Sequence, residues 1–527
     1  MLLCAVFVAA SLLAGDIGIE VMARPSPFVD LAREARPFTK FDGTAAPVDR
    51  NGWPLSDGQV VLFDERPVKA WAPPADDPAL FQPDMSGAYQ LSFTGQAVVT
   101  NAGPASITIS DEHYDRAANR TTFRATLPKG SPSMLCLRFS RTRRTAHDKE
   151  GSGITELRCI RPGYSPATTQ IFDTAFLDAL RPFAYLRFMT WLGTTRAAAP
   201  KIEWADRALP SDAVQGFAAL RPGARGIAWE YVVALANTLG KDIWINVPAD
   251  ATGENPKDQA SYVYQLAALL KRDLNPGISI YVEYSNELWY DRFPAYAWNR
   301  QAAAAEVARG GSTLNSDGSR GLNVWARRRE AKRLYEITKI FDAVFGGPAR
   351  IRPVFAWWFL KPAEFRDVLA WMNRTYGPPK TYFWAIAQSD YFDDAGAGAS
   401  STVPAILSIM RANSDAGVTY TRRIDAIARE FGLRHTCYEG GPDNGGSSNA
   451  NLASRIAANR TPEMAALMER HIGRNWFPHG PASFTYFSLS SPYAAFGSYG
   501  ATEDYRLAAT PKFKAVVSLA TEPRPRR

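Results

Sequence analysis

The stretch Ile278-Ser-Ile-Tyr-Val-Glu-Tyr-Ser-Asn-Glu-Leu-Trp289 sets two carboxylates into an apolar run. Read as a strand of period two, it turns Ile278, Ile280 and Val282 to one face. Ser279, Tyr281, Glu283, Ser285 and Glu287 take the other. A buried carboxylate is costly without a partner, so Glu283, mid-strand, is expected to find a structural cation. Glu287 falls at the carboxyl end and is the candidate for chemistry. Asn286 and Trp289 flank it, one a hydroxyl-binding amide and the other a stacking surface. A second stretch, His435-Thr-Cys-Tyr-Glu-Gly-Gly441, ends another strand on a carboxylate, Glu439. Its two glycines permit a sharp turn and a close ligand approach. Two carboxyls aimed at one centre can cleave a glycosidic bond. One protonates the leaving oxygen, and the other attacks the anomeric carbon or activates water.

Such residues need elements that hold them across a cleft. From about residue 155 the sequence alternates strand-like runs with helix-length amphipathic segments, the pattern of βα units. Eight strands are drawn: Glu156 to Ile160, Ala184 to Thr190, Ile243 to Val247, Ile278 to Tyr284, Ile351 to Ala356, Tyr382 to Ala387, Arg434 to Tyr438 and Ser483 to Ser488. Helices fall between them, that from Thr402 to Phe431 in two pieces. The expectation is an α/β fold, a (β/α)8 TIM barrel over 153–520, with loops Leu192 to Gly226 and Arg309 to Gly321 as insertions. An open doubly wound sheet is the alternative, but no Gly-rich phosphate turn follows an early strand. On this count Glu287 ends strand four and Glu439 strand seven, so they face each other across the barrel mouth. Trp191, Asn246 and Trp358, also near strand ends, are candidate cleft residues.

Ahead of the barrel, residues 24–152 contain an irregular lead-in and then short alternating runs separated by Gly, Pro, Asn and Asp. Six such runs predict an all-β, sandwich-like domain. Met1 to Ala14 is almost wholly apolar and too short for a comfortable membrane span. It fits a secretory signal within residues 1–23, cleaved after Ala14 or Ala23, although no basic residue precedes it. Export to the periplasm or the extracellular space is therefore expected, and a disordered basic tail over 521–527. Cys136 and Cys159 could then pair.

The 527 residues are 46% hydrophobic, 21% charged and 12% aromatic, which excludes wholesale disorder. The formal net charge is +8. Its basic clusters at Arg141 to Arg144, Arg327 to Arg333 and Arg524 to Arg527 are short and read as solvated surface, not as a nucleic-acid stripe. No Cys/His metal spacing, phosphate loop, dinucleotide fingerprint or nucleophile elbow occurs. No metal, cofactor, nucleic acid or membrane span is expected; the expected partner is a carbohydrate substrate, met by a monomer.

The Asn286-Glu287 pair after strand four and Glu439 after strand seven resemble the clan A retaining glycoside hydrolases, a superfamily of many cellulases, mannanases and β-xylosidases. The strings Val-Glu-Tyr-Ser-Asn-Glu-Leu-Trp and Trp244-Ile-Asn-Val-Pro248 also resemble bacterial proteins labelled cellulose- or carbohydrate-binding. The resemblance spans roughly residues 155 to 520. It implies Glu287 as acid/base, Glu439 as nucleophile, Asn286 on the hydroxyl beside the anomeric carbon, and Arg187 on strand two steadying the nucleophile. The clan's strand-eight Trp is absent, with Tyr486 or Phe487 as substitutes. Its strand-six Tyr has only Gln388 and Tyr391 as counterparts. The function implied is an exported retaining β-glycoside hydrolase acting on polysaccharide or oligosaccharide. The alternative is a non-catalytic carbohydrate-binding protein that keeps the barrel.

Overall fold

The computed structural model describes residues 16–67, 81–197, 201–216, 223–444 and 450–522. Met1 to Ala14, with the expected signal, and residues 523–527 of the expected tail lie outside them. The first described strand, β1 (Ile17–Glu20), is a fully buried IGIE run. The chain then leaves for seven antiparallel strands: β2 (Gly58–Asp64), β3 (Gly87–Thr94), β4 (Gln96–Asn101), β5 (Thr108–Asp115), β6 (Arg120–Leu127), β7 (Met134–Arg143) and β8 (Thr155–Ile160). It returns through β9 (Tyr185–Arg187), β10 (Asp242–Val247), β11 (Ile280–Tyr284), β12 (Ile351–Trp357), β13 (Ala385–Asp393), β14 (Arg434–Asp443) and β15 (Ser483–Tyr486).

Eight strands close a parallel barrel in the order β1-β15-β14-β13-β12-β11-β10-β9. Helices follow them, including Thr174–Leu180, Trp229–Leu239, Tyr262–Asp273, Leu322–Phe345, Pro362–Tyr376, Val403–Glu430 and Pro511–Thr521. This is a (β/α)8 barrel. Large aromatics on β9, β10 and β11 (Tyr185, Trp244, Tyr281) fill its interior against small residues on β12 and β13 (Ala356, Ala385, Ala387). Trp244 and Tyr281 stack at 5.4 Å, so the interior is a packed core and not a pore.

The strand that opens the barrel differs from the expectation. Glu156 to Ile160 does form a strand, but it pairs antiparallel with β3 outside the barrel. The opening strand is β1, parallel to both β15 and β9. The barrel thus begins before residue 24, and the β-rich domain is inserted between its first and second strands. Cleavage after Ala23 would remove a barrel strand; cleavage after Ala14 would not. A four-residue strand directly after an apolar run carries no periodicity of its own, and its pairing partners lie more than 160 residues away.

The inserted domain is a sandwich of a three-stranded sheet, β2-β7-β4, and a four-stranded sheet, β5-β6-β3-β8. Inward residues of both, such as Val60, Leu137, Phe93 and Phe123, make one core. Cys136 and Cys159 are free buried thiols. The domain is tied to the barrel side by Arg24, which bonds Glu65, and by Arg506, which donates to the Asp84 carbonyl.

Two helical expectations also change. Val403–Glu430 is one helix of 28 residues. Gly417 costs it about 1 kcal/mol, but the stripe Ile406, Met410, Ser414, Thr421, Ile424 stays buried on both sides of the glycine. Arg327, Arg328, Arg329 and Arg333 are buried, not solvated. Arg329 donates to the hydroxyl of Tyr284, the last residue of β11, at 2.8 Å, and Arg333 to the Gly253 carbonyl at 2.9 Å. A basic run on one helix thereby braces the strand that ends at the site. Among the described residues no helix is long and apolar enough to cross a membrane.

A chain begun at Asp16 is expected to fold, and one begun at Arg24 is not, because β9 and β15 would become open edges. Circular dichroism and size-exclusion chromatography of the two chains decide this. A monomeric, cooperatively melting chain from Arg24 would show that β1 is dispensable.

Candidate active site

Register brings Glu20 on β1 beside Arg187 on β9, with both side chains directed inward. The Arg187 guanidinium is fully buried. Its Nη1 donates to Glu439 Oε2 at 2.9 Å and to Glu20 Oε2 at 3.4 Å. Its Nη2 donates to Asn286 Oδ1 at 2.7 Å and to Glu283 Oε2 at 3.2 Å. One cation therefore serves side chains from β1, from β11 and the turn after it, and from β14. Glu283 also accepts from Trp244 Nε1 at 2.8 Å, and Glu20 from the Thr190 amide at 2.9 Å. Burial works against the guanidinium's charge, but Glu283, Glu439 and Glu20 outweigh it and push its pKa up.

After β11 the chain leaves extended geometry. Ser285 and Glu287 are non-glycine residues in the left-handed region, at φ 61° and 47°. Each costs roughly 1–2 kcal/mol. The conformation is held at Ser285: its amide donates to Val247 O at 2.7 Å, its hydroxyl to Thr194 O at 3.2 Å, and its carbonyl accepts Asn246 Nδ2 at 2.6 Å. This turn sends Asn286 to Arg187 and Glu287 across the mouth toward β14. Glu287 Oε1 there accepts the Tyr438 hydroxyl at 2.9 Å.

On β14 the register with β13 slips: Gln388 pairs with Cys437 and Ser389 with Glu439, so Tyr438 is an extra residue, a β-bulge. The bulge turns two consecutive side chains, Tyr438 and Glu439, toward the interior. Glu439 Oε1 accepts the hydroxyl of Tyr391, on β13, at 3.1 Å. Gly440 and Gly441 make no sharp turn, because β14 continues to Asp443. Their bareness serves the packing of strands: a Cβ on Gly440 would lie 2.5 Å from the Asp390 carbonyl oxygen.

The carboxyls divide by environment. Glu287 is raised well above the usual range, first by burial and then by the charge of Glu439. Burial raises Glu283 as well, against Arg187. Glu20 is raised to about 7 by burial, again opposed by Arg187. Tyr391 is pushed well up by burial and by Glu439, so it remains a neutral donor.

Of the residues singled out in the sequence, Glu287, Glu439, Asn286 and Arg187 meet at this centre. Trp289 and Trp358 stack at 5.0 Å with an interplanar angle of 5°, half-buried beside Glu287. Three others do not line a cleft. Trp191 is buried among Phe28, Phe172, Phe176 and Phe188, a core position reached because the chain turns into a helix right after β9. Asn246 is fully buried and secures the Ser285 carbonyl. Tyr486 is fully buried, its hydroxyl donating to the Tyr499 carbonyl at 3.0 Å. Phe487, the other strand-eight candidate, is half-buried, with its ring 6.4 Å from Tyr391. Of the two strand-six candidates, Tyr391 reaches Glu439. Gln388 instead bonds His435 at 3.1 Å. Glu20 and Tyr438 carried no signal, since a four-residue strand and a bulge are invisible to period two. Among the described residues no group of three His, Cys, Asp or Glu is placed to hold a metal ion.

Two outcomes follow from the buried charges. Glu20's folded value of about 7 lies above its ordinary 4.5, so the folded chain holds a proton that the unfolded chain releases between those pH values. Stability should therefore fall as pH rises through this window, by at most roughly 3 kcal/mol from this group. Glu20→Gln should flatten that part of the slope in denaturant titrations at pH 4.5 to 7; an unchanged slope would refute the assignment. Glu283→Gln should cost about 1–3 kcal/mol of stability, because Arg187 loses a counter-charge, with a smaller effect on any chemical step. Normal melting with all turnover lost would reverse that role.

No family model matches the chain, and no curated protein matches it. Solved structures similar to it include a 4-O-α-L-rhamnosyl-β-D-glucuronidase from Fusarium oxysporum, at 10% identity and TM-score 0.38, over 64% of this chain and 61% of that one. A GH51 arabinofuranosidase from Xanthomonas axonopodis pv. citri aligns at 14% identity and TM-score 0.38, over 61% and 62%. A GH10 endoxylanase from a sugarcane soil metagenome aligns at 11% identity and TM-score 0.36, over 65% and 91%. The chain thus spans about three fifths of the first two. At such similarity the likeness carries no argument about chemistry, and the barrel stands on its own strand order.

Proposed function

We propose that the protein is a retaining β-glycoside hydrolase acting on oligosaccharide or polysaccharide, with Glu287 as acid/base and Glu439 as nucleophile. The observation that carries this reading is that two carboxyls meet at the barrel mouth with unlike partners, Glu287 on a phenol and Glu439 on a guanidinium and a second phenol. Glu287, without an ion pair and repelled by Glu439, holds its proton. Glu439 instead accepts from a guanidinium and from a phenol, which hold it in place as the nucleophile. A retaining pair stands about 5 to 5.5 Å apart and an inverting one about 6.5 to 9.5 Å, and the retaining reading commits Glu287 and Glu439 to the shorter distance.

In the first step Glu287 gives its proton to the glycosidic oxygen while a Glu439 oxygen bonds the anomeric carbon and the aglycone leaves. In the second, Glu287, now a carboxylate, takes a proton from water. The water oxygen displaces Glu439, and both carboxyls return to their starting states. Asn286 Nδ2 is buried and without a hydrogen-bond partner, a donor left for a sugar hydroxyl. The Trp289 and Trp358 pair, next to Glu287, offers a stacking face on the aglycone side. Acid and nucleophile are both carboxyls, so the reaction calls for no metal. Export is inferred with it, from the apolar run Met1 to Ala14, with removal after Ala14. A non-catalytic sugar binder would have no need of two carboxyls set across one barrel mouth.

A panel of aryl β-glycosides and polysaccharides, with product release measured, tests the reading. Glu439→Ala should lower turnover by at least about 10³-fold, and azide should restore it with an inverted glycosyl azide product. Glu287→Ala should still react in the first step with dinitrophenyl glycosides, and should lose the alkaline limb of the kcat/KM profile. That limb belongs to Glu287 because activity falls as pH rises through its raised pKa. A wild-type protein that releases nothing from the panel would refute the assignment.

A further inference from the structure

We propose that Tyr438 is a positioning residue for Glu287: set beside the nucleophile by the bulge in β14, its hydroxyl holds Oε1 of the acid/base, leaving Oε2 to carry the proton toward the leaving oxygen. The inference rests on the role of Glu287 given above. Three observations carry it.

The first is that a regular strand could not aim both Tyr438 and Glu439 at the mouth. Cys437 packs toward the helices, so alternation turns Tyr438 inward and would turn Glu439 out. The extra residue at the bulge cancels that alternation and sets acid-facing phenol and nucleophile side by side. Tyr438 lies in the interior cluster with Trp244 and Tyr281, its ring 5.4 Å from the Arg187 guanidinium carbon.

The second is how firmly it is held. Tyr438 is fully buried, and the Ser389 hydroxyl lies beside its hydroxyl and works against burial on its pKa. Burial raises Tyr438 well above the ordinary phenol range, so it donates and does not ionise. With Ser389 behind it, Tyr438 donates to Glu287, and the 2.9 Å contact fixes the orientation of a carboxyl whose backbone is in a left-handed turn.

The third is that the contact matches the cycle of Glu287. A donated hydrogen bond favours the carboxylate over the acid. It opposes the other influences on Glu287, which are burial and the Glu439 carboxylate, and acts in the same direction as Arg187. Tyr391 and Tyr499 also face the pair, both as neutral phenols. Tyr438 therefore stabilises the carboxylate that Glu287 becomes once its proton has left. That is the form it needs to accept a proton from water in the second step.

The test is Tyr438→Phe, with Ser389→Ala as a second variant that leaves the phenol in place, both checked for folding by circular dichroism. Removing the donor should raise the Glu287 pKa and move the alkaline limb of kcat/KM up by about one pH unit. With a good leaving group, kcat at low pH should fall about tenfold while kcat/KM stays within about threefold, because the second step loses its base and the first needs no acid. Ser389→Ala should move the limb the same way by less. A merely structural role would lower kcat and kcat/KM together and leave the limb in place; that result in both variants overturns the proposal while the carboxyl roles stand. A wild-type profile without a limb that Glu287→Ala erases overturns both.

Discussion

A single guanidinium without exposed surface organises the mouth of this barrel. Arg187 can exist as a buried cation only because carboxylates from β1, β11 and β14 surround it, and those carboxylates are tolerated in the interior only because it is there. The dependence is mutual, and it spans strands that are far apart in sequence. Closing the barrel between β1 and β9 is what sets Glu20 beside Arg187. Holding Asn286 and Glu439 on the same cation fixes the turn after β11 relative to β14.

Around that centre the backbone departs twice from regular geometry, and both departures aim side chains. The left-handed Ser285 and Glu287 lift the acid/base carboxyl off the strand direction. The bulge at Tyr438 supplies the hydroxyl that receives it. Neither deviation would persist alone. Ser285 is secured by β10 and by the loop after β9, and the bulge sits inside the long ladder between β13 and β14. Strain and reinforcement occur together at the place where direction matters most.

The environments of the carboxyls follow from the same arrangement. Glu283 and Glu20 face Arg187 from below the mouth and are locked into hydrogen bonds with Trp244 and the Thr190 amide. Glu287 has no cation in contact, only a phenol and a neighbouring carboxyl. Residues of the same type thus divide between those bonded to the cation and the one that faces the mouth without it. Outside the barrel, Arg329 holds the end of β11 through Tyr284 and Arg333 the loop after β10 through Gly253, so the positive charge of that helix supports strand position.

Much of this was legible in the residue order. Alternating apolar runs marked both the sandwich and most of the barrel strands, because a strand with one buried face must repeat every two residues. Counting them placed Glu287 on the fourth strand, Glu439 on the seventh and Arg187 on the second. Glu283, mid-strand among apolar neighbours, announced the need for a cation. What the sequence could not show depends on partners distant in the chain. β1 is too short to display a period and is a strand only because β9 and β15 flank it. Trp191, Asn246 and Tyr486 stand near strand ends like cleft residues, yet packing from the far side buries them. Tyr438 and Glu439 both face inward only because β13 imposes a register that breaks their own alternation. Local pattern determined which residues could do chemistry; pairing between remote strands decided which of them meet, because a hydrogen-bond register is a property of two strands and is written in neither one alone.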